Sequence, residues 1–486
     1  MGLLKKQYSY RSLPVGAKAA LWFLICSFLQ KAIAVLTTPI FTRLLSTAEY
    51  GQFSVYQSWL GIVTIFVSLR LSAGVYTQGL IKFDREREVY SSSLQGLTLT
   101  LCILWTGVYF LCPDVWNSIT KLTKPQMLAM MASIWSSAAF GFWAAEQRVH
   151  YRYRQLVVVT LLLAVASPVL CIFLVLHADD KVTARIAGGA LIGFLGSIGL
   201  FAAQMKRGRV FFHKRFWRYA VAFNLPLVPH YLSQTVLYNA DRIMIRDLTS
   251  ASDAGIYSIA YSVSMLMTLF STAIMQTMDP WIYQKIKDKK IGDIKNVAYP
   301  ALIFISAANL FLMAFAPEII RVFAPPAYHE AIYVVPPVAM SVVFIFSYDL
   351  FAKFEFYYEK TKLIMAASIA GALANVALNY VFIRLYGYQA AAYTTLFCYA
   401  LYSLGHYLFM RKVCREYLEG MEPYSPKVLL CIYAAFLAAG FMFLASYRYT
   451  VVRYTIIVVG IMALIAFRKR VVSVINLFME LRKAKE

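Results

Sequence analysis

Charge is scarce in this chain. Only 15% of its 486 residues are Asp, Glu, Lys or Arg, against 60% hydrophobic, whereas soluble domains carry about 25% charged residues. That deficit excludes a cytosolic enzyme, and the apolar excess excludes a disordered chain. Acid is the rarer sign, with 24 Asp+Glu against 47 Lys+Arg and a net charge of +23. Cysteine is sparse as well: there are seven, with no C-x-x-C and no Cys/His spacing, which excludes a disulfide-stapled secreted module and a metal or redox motif. Cys26, Cys102, Cys112, Cys171, Cys398 and Cys431 lie in or beside apolar stretches and read as small core hydrophobes, while Cys414 sits in a basic loop. No G-x-x-x-x-G-K-[ST] loop and no H-E-x-x-H occurs. Polar intervals stay under about 20 residues, too short for a folded catalytic domain, so no enzyme activity is expected. Lys5, Lys6, Arg11 and Lys18 precede an apolar stretch running to about Leu45, too long for the core of a cleaved signal peptide. It reads as a retained first helix.

What fills the chain is a succession of apolar stretches, each near the ~20 residues that cross a bilayer. Breaks at charges and at Pro/Gly clusters place spans near 19–42, 53–78, 92–112, 126–146, 156–177 and 184–205, then near 219–245, 255–278, 297–316, 331–352, 362–383, 389–410, 428–446 and 451–467. The expected fold class is all-α integral membrane, with about 14 transmembrane helices. Basic residues test the layout. With loops alternating sides, 34 of the 47 cations fall on the side of the N-terminus and 11 on the other, leaving Lys31 and Arg70 inside spans. That asymmetry implies both termini on the cytoplasmic side. It also makes the positive charge a topological feature that holds loops against an anionic leaflet, not a nucleic-acid surface. The connector bearing Phe211, Phe212, Phe216 and Trp217 among its cations reads as an interfacial helix. So does the tail, where Val471, Val474, Ile475, Phe478 and Leu481 fall at helical spacing.

The chain matches itself at an offset of about 204 residues: Leu44 meets Leu248, Ser46 meets Ser250, Glu49 meets Asp253, Gly51 meets Gly255 and Ser54 meets Ser258. Each match falls at the turn between the first two helices of a six-helix block. An even block keeps its orientation, so the copies are parallel lobes related about the membrane normal, a transporter architecture with the substrate path between them. The expected division is an N-terminal six-helix lobe over 1–205, a basic connector over 206–218, a C-terminal six-helix lobe over 219–412, and two further helices with a basic amphipathic tail over 413–486.

Charges inside spans mark function or pairing, because a centred charge costs roughly 2.5–3.5 kcal/mol on insertion scales. Lys31 lies near the middle of the first span, on a face with Ser27, Ala34 and Thr38; it lines a polar cavity or pairs with an acid elsewhere. Arg70 lies in the second span in line with Gly74 and Gln78, and either faces the cavity or snorkels to the interface. In the seventh span His230, Gln234, Tyr238 and Asp241 share a face below Pro226 and Pro229. The prolines predict a broken helix, and His230 and Asp241 are candidates for coupling to H+ or Na+, with a plain Asp241–Arg242 pair as the alternative. Ser368, Ala372, Asn375 and Asn379 form a polar stripe in the eleventh span, read as helix packing or substrate contact. Asp349, near Lys353 and Glu355, and Asp279 suit gating salt bridges or interfacial charges.

Several segments resemble one family. Pro39-Ile40-Phe41-Thr42-Arg43-Leu44-Leu45 with Glu49-Tyr50-Gly51, Leu225-Pro226-Leu227-Val228-Pro229-His230, Asp241-Arg242-Ile243-Met244-Ile245, Gly255 to Tyr261, and Tyr386-Gly387-Tyr388-Gln389-Ala390-Ala391 are similar to the corresponding turns of bacterial polysaccharide (O-antigen or capsule) repeat-unit flippases. These form part of the multidrug/oligosaccharidyl-lipid/polysaccharide exporter superfamily. The resemblance implies two lobes around a cationic cavity in the bacterial cytoplasmic membrane. It also implies flipping of undecaprenyl-diphosphate-linked oligosaccharides between leaflets by alternating access, with a polysaccharide polymerase and chain-length regulator as partners. Under it Lys31 and Arg70, with Arg43 and Arg242 at the exit and Asn375 and Asn379, are the substrate-binding candidates. His230, Asp241 and Asp349 are those for ion coupling or gating, and no cofactor beyond a coupling ion is expected. Three alternatives stay open: a peptidoglycan lipid-precursor flippase, a cation-coupled multidrug exporter, for which an acidic cavity would be expected, and a membrane polysaccharide polymerase or ligase, which would need a large outer loop.

Overall fold

The computed structural model describes residues 14–466. The basic residues before Pro14 and the tail helix expected around Val471 to Leu481 lie outside the described residues. Among the described residues every regular element is helical, and the chain forms two compact units that divide at Leu232 and Ser233.

The first unit holds α1 (Val15–Leu44), α2 (Thr47–Ser68), α3 (Gly74–Lys82), α4 (Arg87–Leu111), the short α5 (Pro113–Thr120), α6 (Lys124–Val149), α7 (Tyr153–His177), α8 (Lys181–Gly208) and α9 (Lys214–Asn224). Next comes α10 (Val228–Leu248), within which the division falls. The second unit continues with α11 (Ala251–Met265), α12 (Met267–Lys287), α13 (Ile294–Ala314), the short α14 (Ala316–Phe323), α15 (Val335–Tyr357), α16 (Thr361–Tyr386), α17 (Ala390–Tyr417), α18 (Pro426–Ser446) and α19 (Thr450–Ala466). Among the described residues ten stretches are long and apolar enough to cross a membrane. With α2, α10, α17 and the shorter α19 they make up the expected fourteen.

The repeated residues do one structural job in each unit. Ser46 caps α2, its Oγ accepting from the Glu49 amide at 3.2 Å while Glu49 Oε2 accepts from the Ser46 amide at 2.7 Å. Ser250 caps α11 through the Asp253 amide at 3.0 Å. These are local N-cap devices that satisfy the first amides of a helix, and they explain why the matches cluster at this turn.

Three expectations are corrected. The second span is not one helix: it breaks where Leu69 and Arg70 take left-handed φ of 47° and 50°, a conformation that costs a non-glycine residue roughly 1–2 kcal/mol. Asn224 Nδ2 donates to the Leu69 carbonyl at 3.0 Å and the Arg70 amide to Ser68 Oγ at 3.2 Å, which holds the break. Arg70 therefore shares no helix face with Gly74 and Gln78. The aromatic connector is not wholly interfacial. Phe216 is fully buried against Tyr90 and Phe83, with ring centres at 5.2 and 5.0 Å, and Trp217 Nε1 donates to the Ser93 carbonyl at 2.9 Å, while Phe211 and Phe212 remain exposed. Cys414 lies buried in α17, not in a loop. The break at Pro226 is as the prolines require: a 3₁₀ turn over Leu225–Leu227 separates α9 from α10.

Each unit has a buried polar column. In the first, Gln95 Nε2 donates to Gln204 Oε1 at 2.7 Å, Gln204 Nε2 to Glu146 Oε2 at 2.6 Å, and Arg207 grips Glu146 in a fork at 2.6 and 2.9 Å. In the second, α15 is the central helix, packed on α11, α13 and α17. Its Glu355 meets His406 Nδ1 at 2.8 Å, both fully buried.

Candidate functional site

The densest polar constellation in the second unit gathers on Asp241. Its carboxylate is fully buried in α10 and accepts three bonds. Tyr257 Oη of α11 donates to Oδ2 at 2.7 Å, Thr395 Oγ1 of α17 to the same oxygen at 2.9 Å, and Asn379 Nδ2 of α16 to Oδ1 at 2.7 Å. Asn379 also bonds Asn375 Oδ1 at 3.2 Å and accepts from Thr394. Asn375 and Asn379 thus complete the surroundings of a carboxylate, and both are fully buried.

The Asp241–Arg242 pair does not form. Arg242 points its guanidinium at the Tyr261 ring, 3.8 Å from its centre, and donates to the Tyr238 carbonyl one turn back. Successive helical positions lie about 100° apart, so neighbours in sequence face different ways. Among the described residues Asp241 has no cation within ion-pairing distance. Its oxygens are held by neutral donors alone.

The other candidates are dispersed. His230 is half-buried in the first turn of α10, its ring 5.9 Å from that of Tyr231, three helical turns before Asp241. Asp349 and Asp279 share Lys353, whose Nζ lies 2.8 and 3.0 Å from their Oδ1 atoms, a buried lysine clamped by two acids. Arg43 donates to the Pro39 carbonyl at 2.8 Å in the last turn of α1. Arg70 sits in the break after α2 with its guanidinium 5.1 Å from the Tyr231 ring centre. Lys31 is exposed midway along the 30-residue α1, and among the described residues no acid pairs with it. Tyr257, Thr394 and Thr395 belong to the Asp241 site and were not singled out from the sequence. Their one signal was that Tyr257 lies inside the Gly255 to Tyr261 segment and that Thr394 and Thr395 follow the Gln389 turn.

Comparison with known proteins follows the same lines. A family model described as polysaccharide biosynthesis protein matches residues 17–286, and a model described as MatE matches 226–381. Among curated relatives, the Lsg locus putative protein 1 of Haemophilus influenzae is 22% identical over 376 residues, 74% of this chain and 89% of that one. Among solved structures, the lipid II flippase MurJ in an inward closed conformation superposes with a TM-score of 0.65 at 13% identity, over 93% of this chain and 100% of that one. An inward-facing multidrug resistance MATE family transporter of the MOP superfamily superposes with a TM-score of 0.58 at 12% identity, over 79% and 95%. The fold is that of these transporters.

Proposed function

We propose, because this chain belongs to the polysaccharide biosynthesis protein family and has the fold of multi-pass membrane transporters of the MOP superfamily, that it flips a lipid-linked oligosaccharide. The cargo is an undecaprenyl-diphosphate-linked repeat unit, moved from the inner to the outer leaflet of the bacterial cytoplasmic membrane for O-antigen or a similar surface polymer. The observation that carries the reading is Lys31: an exposed cation in the middle of an apolar helix, with no acid to pair with among the described residues. Such a charge is tolerated where it faces water or an anionic cargo, and a diphosphate headgroup supplies that anion. Arg70 at the helix break, Arg43 in the last turn of α1 and Arg242 in the second half of α10 add positive charge along the route. Asp241 acts as the coupling group, taking up H+ or Na+ when its site opens to water and releasing it on closure; His230 and the Asp349–Lys353–Asp279 clamp serve as gating elements.

This reading implies alternating access, with an apolar tail left in lipid while the headgroup crosses. A polymerase and a chain-length regulator receive the product, and both termini face the cytoplasm. Reconstitution tests the reading: vesicles carrying the full-length protein and a fluorescent undecaprenyl-diphosphate oligosaccharide should show its transfer between leaflets. Lys31→Ala should abolish that transfer while inserting normally, and undiminished transfer by that variant would remove Lys31 from the route. A second reading, a flippase for a peptidoglycan precursor, is favoured by the likeness to the lipid II flippase, and lipid II offered in the same vesicles separates the two.

A further inference from the structure

The second unit holds a second buried carboxylate that the Asp241 site does not involve. Glu355 of α15 meets His406 of α17 through one bond, Nδ1 to Oε1 at 2.8 Å, and both side chains are fully buried. Their other polar atoms, His406 Nε2 and Glu355 Oε2, are buried as well and meet no hydrogen-bond partner among the described residues. Asp241 is built differently, with three neutral donors on its two oxygens. Glu355 has a base instead.

The titratable groups facing the pair are tyrosines. Tyr402 of α17 and Tyr348 of α15 set their rings 4.6 and 5.6 Å from the His406 ring, and Tyr402 Oη shares a 3.0 Å hydrogen bond with Ser368 Oγ of α16. Charged groups on these helices and their neighbours are engaged elsewhere. Lys353 of α15 holds Asp349 and, from α12, Asp279; in α17 Arg411 holds Glu422 and Glu416 holds Lys360. The helices α11, α13, α16 and α18, also packed on α15, carry Asp253, Lys295, Lys362 and Lys427. Among the described residues the ion-pair partner of Glu355 is His406 alone.

The charge of the pair turns on one proton. With it the pair is neutral overall, as carboxylate with imidazolium or as carboxylic acid with imidazole. Without it Glu355 is an anion that no cation matches. A buried uncompensated charge is costly, whereas a matched pair escapes most of that cost. Close packing therefore suits the protonated pair, and the anion needs water.

Two helices join this pair to Asp241. α16 places Asn379 on Asp241 and Ser368 on Tyr402, and α17 places Thr395 on Asp241 and His406 on Glu355. At about 1.5 Å of rise per residue, the two positions on each helix lie about 16 Å apart. The polar stripe from Ser368 to Asn379 thus runs from the neighbourhood of one buried carboxylate to the other, and a tilt of either helix moves both.

We propose that Glu355 and His406 form a proton-binding site, distinct from Asp241, that holds one proton while α15, α16 and α17 are packed together and releases it to water when they part. Release leaves a carboxylate and a neutral imidazole, with no other bond made or broken. The use of that proton in transport rests on the flippase reading; its binding does not.

Binding can be read without transport. Full-length protein carrying isotope-labelled histidine is placed in phosphatidylcholine nanodiscs and followed by magic-angle-spinning NMR. The His406 ring nitrogens, identified by their loss in His406→Gln, should shift between about pH 5 and 9. Glu355→Gln should abolish that shift in protein that still melts cooperatively, which separates a lost proton from lost folding. His406 signals that stay constant in the parent, or that titrate unaltered in Glu355→Gln, would each overturn the assignment. In vesicles with a fluorescent undecaprenyl-diphosphate oligosaccharide, an imposed pH gradient should change the rate of transfer by the parent and lose that effect in Glu355→Gln. A response that Glu355→Gln retains would remove the site from the transport cycle. Titration of His406 in protein that transfers nothing would refute the flippase reading alone, and transfer by protein whose His406 does not titrate would refute the proton site alone.

Discussion

Replacing Asp241 separates the carboxylate's structural role from its charge. Asp241→Ala leaves three buried donors, Tyr257 Oη, Asn379 Nδ2 and Thr395 Oγ1, without the acceptor they now share. An orphaned buried donor costs about 1–3 kcal/mol. The two hydroxyls can turn to other acceptors, so the sum comes to about 3–5 kcal/mol. Asp241→Asn keeps the volume and one carbonyl acceptor, and its cost should be about 1–2 kcal/mol. The two variants should therefore separate in stability but not in coupling: the alanine form melts well below the asparagine form, and neither responds to a cation or pH gradient. Thermal unfolding in one detergent and leaflet transfer in reconstituted vesicles with an imposed Na+ or H+ gradient give the two readings. An alanine variant as stable as the parent would refute the hydrogen-bond reasoning. An asparagine variant whose transfer still follows the gradient would refute the coupling role.

Further outcomes are expected elsewhere. Glu146→Ala strips the acceptor from Gln204 and from the Arg207 fork, and should lower stability by about 2–4 kcal/mol, measured by unfolding; Glu146→Gln should recover part of the loss. Ser46→Ala and Ser250→Ala each remove an N-cap acceptor and should cost about 1 kcal/mol apiece, with the double variant close to the sum because the caps share no partner. A Cβ at Gly79 would fall 2.2 Å from the Tyr90 ring, so Gly79→Ala should reduce the yield of folded protein in a fluorescence size-exclusion assay, and Tyr90→Leu on the same background should restore some of it.

The spans were legible because a run of apolar residues long enough to cross a bilayer is a property of the chain alone. The internal repeat was legible because N-caps are local, and Ser46 with Glu49, and Ser250 with Asp253, carry their partners three residues away. The break after α2 was not, since no proline or glycine stands at Leu69 or Arg70 and the stabilising Asn224 lies 155 residues on. The two polar stripes, Asp241 on α10 and Asn375 with Asn379 on α16, were visible singly. Their meeting is a tertiary fact: Asn379 reaches the Asp241 carboxylate across 138 residues of chain. Thr394, Thr395 and Tyr257 carried no signal of their own, because hydroxyls are common in membrane helices and bond readily to the helix behind them. The Glu355–His406 pair was missed for the same reason: each partner gains meaning only from the other.

The central claim is most directly tested in a strain lacking this gene, by measuring surface polysaccharide together with the amount and sidedness of its lipid-linked repeat units. The flippase account predicts loss of polymer with complete units held on the cytoplasmic leaflet, reversed by the parent gene and not by the Lys31→Ala form. Complete units accumulating on the outer leaflet would contradict it and place the defect in polymerisation or ligation, and unchanged polysaccharide would contradict it outright.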